Sequence, residues 1–152
     1  MQQIAINNLI NEAEELEARA VQLRTEAGNA KMDRIKTGGI EEWLDVAFQS
    51  SSGLTEEFAL FARQYRKAIV KAMVDYELVN FSRGHFYMSG FFRSPHTGKL
   101  VYFSTDDVRG SNNGWLDNIL IRTAQHDKDY TGGSNCFASL ENIRDRADDL
   151  TA

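Results

Sequence analysis

Between Arg122 and Asn135 the chain gathers, in one polar loop after an apolar strand, nearly every group that a nucleotide requires. Arg122 and Lys128 offer cations for phosphate, because guanidinium and ammonium groups donate charge-assisted hydrogen bonds to phosphate oxygens. Tyr130 offers an aromatic face for a base. Asp129 and Asn135, with the hydroxyls of Thr123, Thr131 and Ser134, offer partners for ribose. Gly132 and Gly133 let backbone N–H groups approach a ligand closely. The same run from Asp129 to Asn135 is equally good turn chemistry, so a ligand loop and a well-solvated connector both fit these residue types. Arg93 and Arg109 add cations at other strand ends or loops. Phe92 and Trp115 are the further aromatics that would stack on adenine if exposed, a contact worth about 1–3 kcal/mol. Adjacent residues of a strand point to opposite faces, so one of Phe91 and Phe92 is expected in the core, and likewise one of Tyr102 and Phe103.

Other chemistries find less support. His85, His96 and His126 are far apart and form no ligand pair, and the lone Cys136 has no Cys-x-x-Cys companion, so no metal site is expected. His126 beside Asp127 has the types for proton transfer, yet an exposed loop histidine accounts for it equally simply. Cys136 opens an apolar Cys136-Phe137-Ala138 step, where an inert, buried thiol is expected. The chain contains neither a Gly-x-x-x-x-Gly-Lys-Ser/Thr phosphate loop nor a Gly-x-Gly-x-x-Gly fingerprint. Catalytic residues and cofactors are therefore not expected.

The elements that must position these residues follow from composition and period. The chain has 152 residues, 42% hydrophobic and 26% charged, which is enough for a core. Its net charge of −5 argues against coating nucleic acid. A single cysteine fits a reducing compartment, and the lack of a long apolar run argues against a membrane span, so a cytoplasmic protein is expected. Helix formers dominate before about residue 81; most glycines and aromatics come after it. We therefore expect an α+β fold, with a helical region over 1–80 serving oligomerisation and packing, and an antiparallel β-sheet region with a C-terminal helix over 81–152.

The first helix should run from about Gln3 to Lys36, with Ile6, Leu9, Ala13, Leu16, Ala20, Leu23, Ala27 and Ala30 forming a heptad seam. So narrow a stripe cannot make a globular core alone, and a homo-oligomer, a dimer or higher, is expected. A second helix is expected from Ile40 to Gln49, broken by Ser50 to Gly53. A third, capped near Thr55 and stapled by Leu54, should bury Phe58, Phe61, Tyr65, Ile69, Met73 and Tyr76 and continue to Val79. His85 to Phe92 and Lys99 to Ser104 read as a hairpin, Trp115 to Thr123 as the next strand, and Cys136 to Ala138 as a last short one. Ser139 should cap a C-terminal helix with Leu140, Ile143, Ala147 and Leu150 inward.

Phe91-Phe92-Arg93, Leu100 to Arg109, Ile119 to Ala124 and Lys128 to Asn135 together resemble phage proteins of the first Thoeris anti-defence family, over about residues 86 to 137. The resemblance implies a non-enzymatic sponge that sequesters cyclic ADP-ribose isomers made by host TIR-domain enzymes, with cyclic oligonucleotides as further ligands, and assembles as dimers or larger oligomers in the host cytoplasm. It also implies Arg109, Arg122 and Lys128 near a pyrophosphate, Asp129 and Asn135 near ribose or base edges, and an aromatic against adenine. Two alternatives stand beside it. One is an inhibitor that binds a host defence enzyme through an acidic helical surface, and the other is a small enzyme acting on a nucleotide.

Overall fold

The computed structural model describes residues 2–44, 56–109 and 113–152. The chain divides into two compact units, Met1–Gly38 and Gly39–Ala152. The first is a single helix, α1 (Gln2–Thr37), built from the Ala-, Glu- and Leu-rich stretch whose residues lose little rotamer freedom in a helix. Its seam leucines are exposed.

The second unit opens with a short 3₁₀ helix, Ile40–Trp43. The remainder of the expected Ile40–Gln49 helix, its Ser50–Gly53 break, the Leu54 staple and the Thr55 cap lie outside the described residues. Helix α2 (Glu56–Ala72) buries the expected stripe: Phe58, Phe61, Tyr65 and Ile69 are fully inaccessible, with Met73 just beyond its end. It does not continue to Val79. Asp75 takes a left-handed φ of 69°, which stops the helix, and strand β1 (Glu77–Arg83) begins two residues later. Tyr76 and Val79 extend the helical spacing by coincidence, so period alone could not reveal this turn.

Four more strands follow: β2 (Met88–Arg93), β3 (Leu100–Ser104), β4 (Ile119–Ala124) and β5 (Asn135–Ala138). They form one antiparallel sheet in the order β1-β2-β3-β4-β5, completed by helix α4 (Ile143–Thr151), an α+β fold as expected. The β2–β3 hairpin has the expected turn, with Arg93 opposite Leu100 and Gly98 at φ 71°. The expected strand from Trp115 is shorter. Gly114–Asp117 form a helical turn, α3, that drives the Trp115 indole against Phe61 and Tyr65 of α2, and the strand starts at Ile119. The expected Ser139 cap closes a turn instead: Asn142 N–H donates to the Ser139 hydroxyl and Ser139 N–H to the Asn142 side chain, while α4 starts after Asn142 with no side-chain cap bond and buries Ile143 and Ala147.

Both main helices of this unit lie on one sheet face. Arg66 of α2 sits over Phe81, which shares a face with Phe92, Phe103 and Ile121, and Tyr76 ties α4 in through a 2.7 Å hydrogen bond to Asp148. The opposite face carries three rows of cross-strand neighbours. Arg93, Leu100 and Ala124 form the first; Asn80, Phe91, Tyr102, Arg122 and Asn135 the second; Ser82, Ser89, Ser104, Leu120 and Phe137 the third.

Candidate functional site

The polar loop after β4 folds back over the second of those rows. Tyr130 packs edge-on against Phe91 and Tyr102, with ring centroids 5.5 and 5.8 Å away, and Asn80 donates to the Asp127 carbonyl at 3.1 Å. Phe91 and Phe92 are therefore both fully buried, one under the loop and the other under the helices. The expectation that only one of them would be core fails because the sheet is covered on both sides there.

Arg122 is the brace of this flap. It is only 4% exposed, its guanidinium carbon lies 4.3 Å from the Tyr102 ring centroid, and it donates to the carbonyls of Gly132 at 2.8 Å and Asp129 at 2.6 Å. Its donors are turned to the loop rather than to solvent. The sequence expectation put a phosphate on Arg122; in this geometry its guanidinium is bonded to the loop carbonyls and positions the loop. Asp129 completes the closure by accepting N–H groups from Gln125, Thr131 and Gly132. Those bonds, led by Gln125 and aided by the Arg122 charge, hold its carboxyl below the usual range. Ser134 N–H donates to Thr123 Oγ1, and Gly133 stands at φ 88° with no room for a Cβ, which would collide with the Thr123 carbonyl and hydroxyl oxygens. The glycine does need its close approach, but to the chain's own strand.

The remaining expected residues are scattered. Phe92 and Trp115 are buried in the helix-side core, so neither ring has a face free for a base. Lys128 is exposed at the loop tip, where its N–H donates to His126 Nδ1. Thr131, Ser134 and Asn135 are exposed beside Tyr130, which keeps 54% of its surface accessible. Arg109 lies elsewhere, stacked 4.7 Å from the Phe86 centroid and chelating Asp107, whose carboxyl is held low chiefly by that hydrogen bond. Cys136 is half-buried rather than fully buried as expected, and burial pushes its thiol pKa up.

On either side of the flap the same sheet face is concave. One hollow, of about 390 Å³, is bordered by Arg93, Lys99, Leu100, Thr123 and Gln125. Arg93 there donates to the Gly98 carbonyl and lies 3.6 Å from Glu77, and the Lys99 ammonium donates to the carbonyl of Ala152. The other, of about 190 Å³, is lined by Ser104, Asp106, Asn118, Leu120 and Phe137. Phe137 is 56% exposed, a large apolar ring standing free beside a carboxylate, an amide and a hydroxyl. Sequence reasoning missed Phe137; its signal was the alternation Cys136, Phe137, Ala138, which must send the middle ring to the face opposite Ala138. Among the described residues no group of three or more His, Cys, Asp or Glu could hold a metal ion, and no helix is long and apolar enough to cross a membrane. Comparisons with protein-family models, curated proteins and solved structures return no match to this chain.

Proposed function

We propose that this protein is a non-enzymatic binder that sequesters a nucleotide-type signal, a cyclic ADP-ribose isomer being the first candidate, on the open sheet face beside the flap. The observation that carries the reading is the exposed Phe137 ring next to Asp106, Asn118 and Ser104. That set provides a stacking surface for a base together with a carboxylate, an amide and a hydroxyl for ribose and base edges. Arg109, in the segment after β3, is the nearest cation in sequence to Asp106 and would meet a pyrophosphate by exchanging its bonds to Asp107. The flap supports this reading as scaffold, since its polar groups are spent on one another. A hollow of about 190 Å³ is small for a whole dinucleotide. In this reading a second subunit closes over the ligand and slows its release.

Binding rather than turnover is also favoured by His126, which spends its Nδ1 on the Lys128 amide instead of facing a hollow. The test is to incubate the pure protein with cyclic ADP-ribose isomers, and separately with cyclic di- and trinucleotides, remove free ligand, heat, and identify what is released by mass spectrometry. Intact return is expected; altered return identifies an enzyme, and no uptake removes the nucleotide reading. A second reading, inhibition of a host protein through the helical surface, is favoured by the exposed α1 stripe and would appear as no uptake of any nucleotide.

A further inference from the structure

Helix α1, 36 residues and about 54 Å long, carries an exposed seam from Ile6 to Ala30, about 36 Å of that length. Leu9 is 66%, Leu16 65% and Leu23 48% accessible. In heptad terms Ile6, Ala13, Ala20 and Ala27 fall at a, and Leu9, Leu16, Leu23 and Ala30 at d. An apolar stripe of this length marks an interaction surface, and the charges bordering it select the occupant. Glu12, Arg19 and Glu26 occupy g positions, while Glu17, Arg24 and Lys31 occupy e.

A parallel, in-register pair sets each g residue against the next e residue of the other copy. That would oppose Glu12 to Glu17 and Arg19 to Arg24, leaving only Glu26 with Lys31 as an attractive pair. An antiparallel pair sets g against g and e against e. In the register that places Ala20 of one copy against Leu23 of the other, and Ala27 against Leu16, Arg19 meets Glu26 and Glu17 meets Arg24, each twice by symmetry. The like pair Glu12 and Asp33 lies toward the ends. Sliding by one heptad in one direction would bring Arg19 against Arg19 and Glu12 against Glu26; sliding in the other keeps as many attractive pairs, Arg19 with Asp33 and Glu17 with Lys31, but leaves Ile6 and Leu9 beyond the end of the partner helix, so charge sets the direction and apolar overlap completes the choice of register. Alanine facing leucine in the central layers also lets the backbones approach closely.

We propose that the occupant of the α1 seam is α1 of a second copy, antiparallel, in the Ala20–Leu23 register, with Arg19–Glu26 and Glu17–Arg24 as its orienting pairs. This self-association is independent of whether the sheet face binds a nucleotide. Arg19 donates to Gln22 and Gln22 to Glu26 along the helix surface, so this edge is exposed and available.

The test uses the full chain. Arg19→Glu should raise the dimer dissociation constant by roughly tenfold or more, since it makes two like-charge pairs, and adding Glu26→Arg should restore it. A parallel pair predicts the opposite sign, because Arg19→Glu would there relieve repulsion from Arg24. Spin labels placed singly at Asn8→Cys or Val21→Cys, in a Cys136→Ser background, should give distances that differ by position: beyond about 40 Å for Asn8 and much shorter for Val21. Equal distances at the two positions, a tighter or unchanged Arg19→Glu dimer, or a monomer by light scattering at micromolar concentration would each overturn the proposal.

Discussion

Arg122 donates from Nη1 to the carbonyl of Gly132 at 2.8 Å, so a strand residue holds in place the far side of the loop that follows it. With the Asp129 carbonyl on Nη2 and the Tyr102 ring beneath, one side chain fixes the flap against the sheet. Part-buried carbonyls that lose a charged donor are costly to leave unpaired.

Arg122→Ala should therefore destabilise the fold by about 2–4 kcal/mol. Amide exchange should accelerate through residues 125 to 134, with the Phe91 cluster newly accessible. Arg122→Lys should rescue little, because an ammonium lacks the planar fork that reaches both carbonyls. Denaturant midpoints and exchange mass spectrometry measure both. Unchanged exchange in the loop would show that the flap does not depend on this brace.

Gly133→Ala should cost about 2–4 kcal/mol, since it adds a Cβ at φ 88° against Thr123. Gly98→Ala is its control. That glycine also has a positive φ, 71°, but open space where the Cβ would go, so its penalty should be the smaller of the two in urea unfolding.

Asp129 gives the loop a pH dependence whose sign follows from its lowered pKa. Its contribution is fully present above the unfolded carboxyl value of about 3.9 and is lost as the pH falls through the lower folded value. Asp129→Asn should flatten part of the acid limb of stability against pH. Asp107, held low by Arg109, should sustain the rest. Urea midpoints across acidic pH provide the comparison, and an identical acid limb in the variant would contradict the assignment.

The two aromatics Trp115 and Phe137 should separate stability from binding. Trp115→Ala empties a buried site between Phe61 and Tyr65 and should cost about 3–5 kcal/mol. Phe137→Ala, on an exposed edge strand, should change stability by less than about 1 kcal/mol. Thermal melts distinguish them, and a large melting loss in Phe137→Ala would make that ring a core element.

Much of the fold was legible because the apolar period is unambiguous where it is long, as in Phe58 to Met73 and in the β2–β3 hairpin. The failures have local causes. Tyr76 and Val79 keep the helical beat past a left-handed Asp75, and Trp115 looks like a strand residue until α3 turns it into the core. The loop's density of polar types was visible, but whether those groups face a ligand or each other depends on the fold-back that lays Tyr130 on Phe91 and Tyr102. No pattern within residues 122–135 specifies that fold-back, because the rings beneath the flap are on strands β2 and β3. Gly133 was readable as a close-approach position; the partner it approaches, Thr123, was not.

The most direct measurement is a calorimetric titration of cyclic ADP-ribose isomers into the unmodified protein and into Phe137→Ala. We predict saturable binding to the first. In the second, affinity should fall by about 1–3 kcal/mol, roughly five- to a hundredfold, at an unchanged melting temperature. No saturable binding to the unmodified protein, or equal affinity in a folded Phe137→Ala variant, would contradict a nucleotide site on this sheet face.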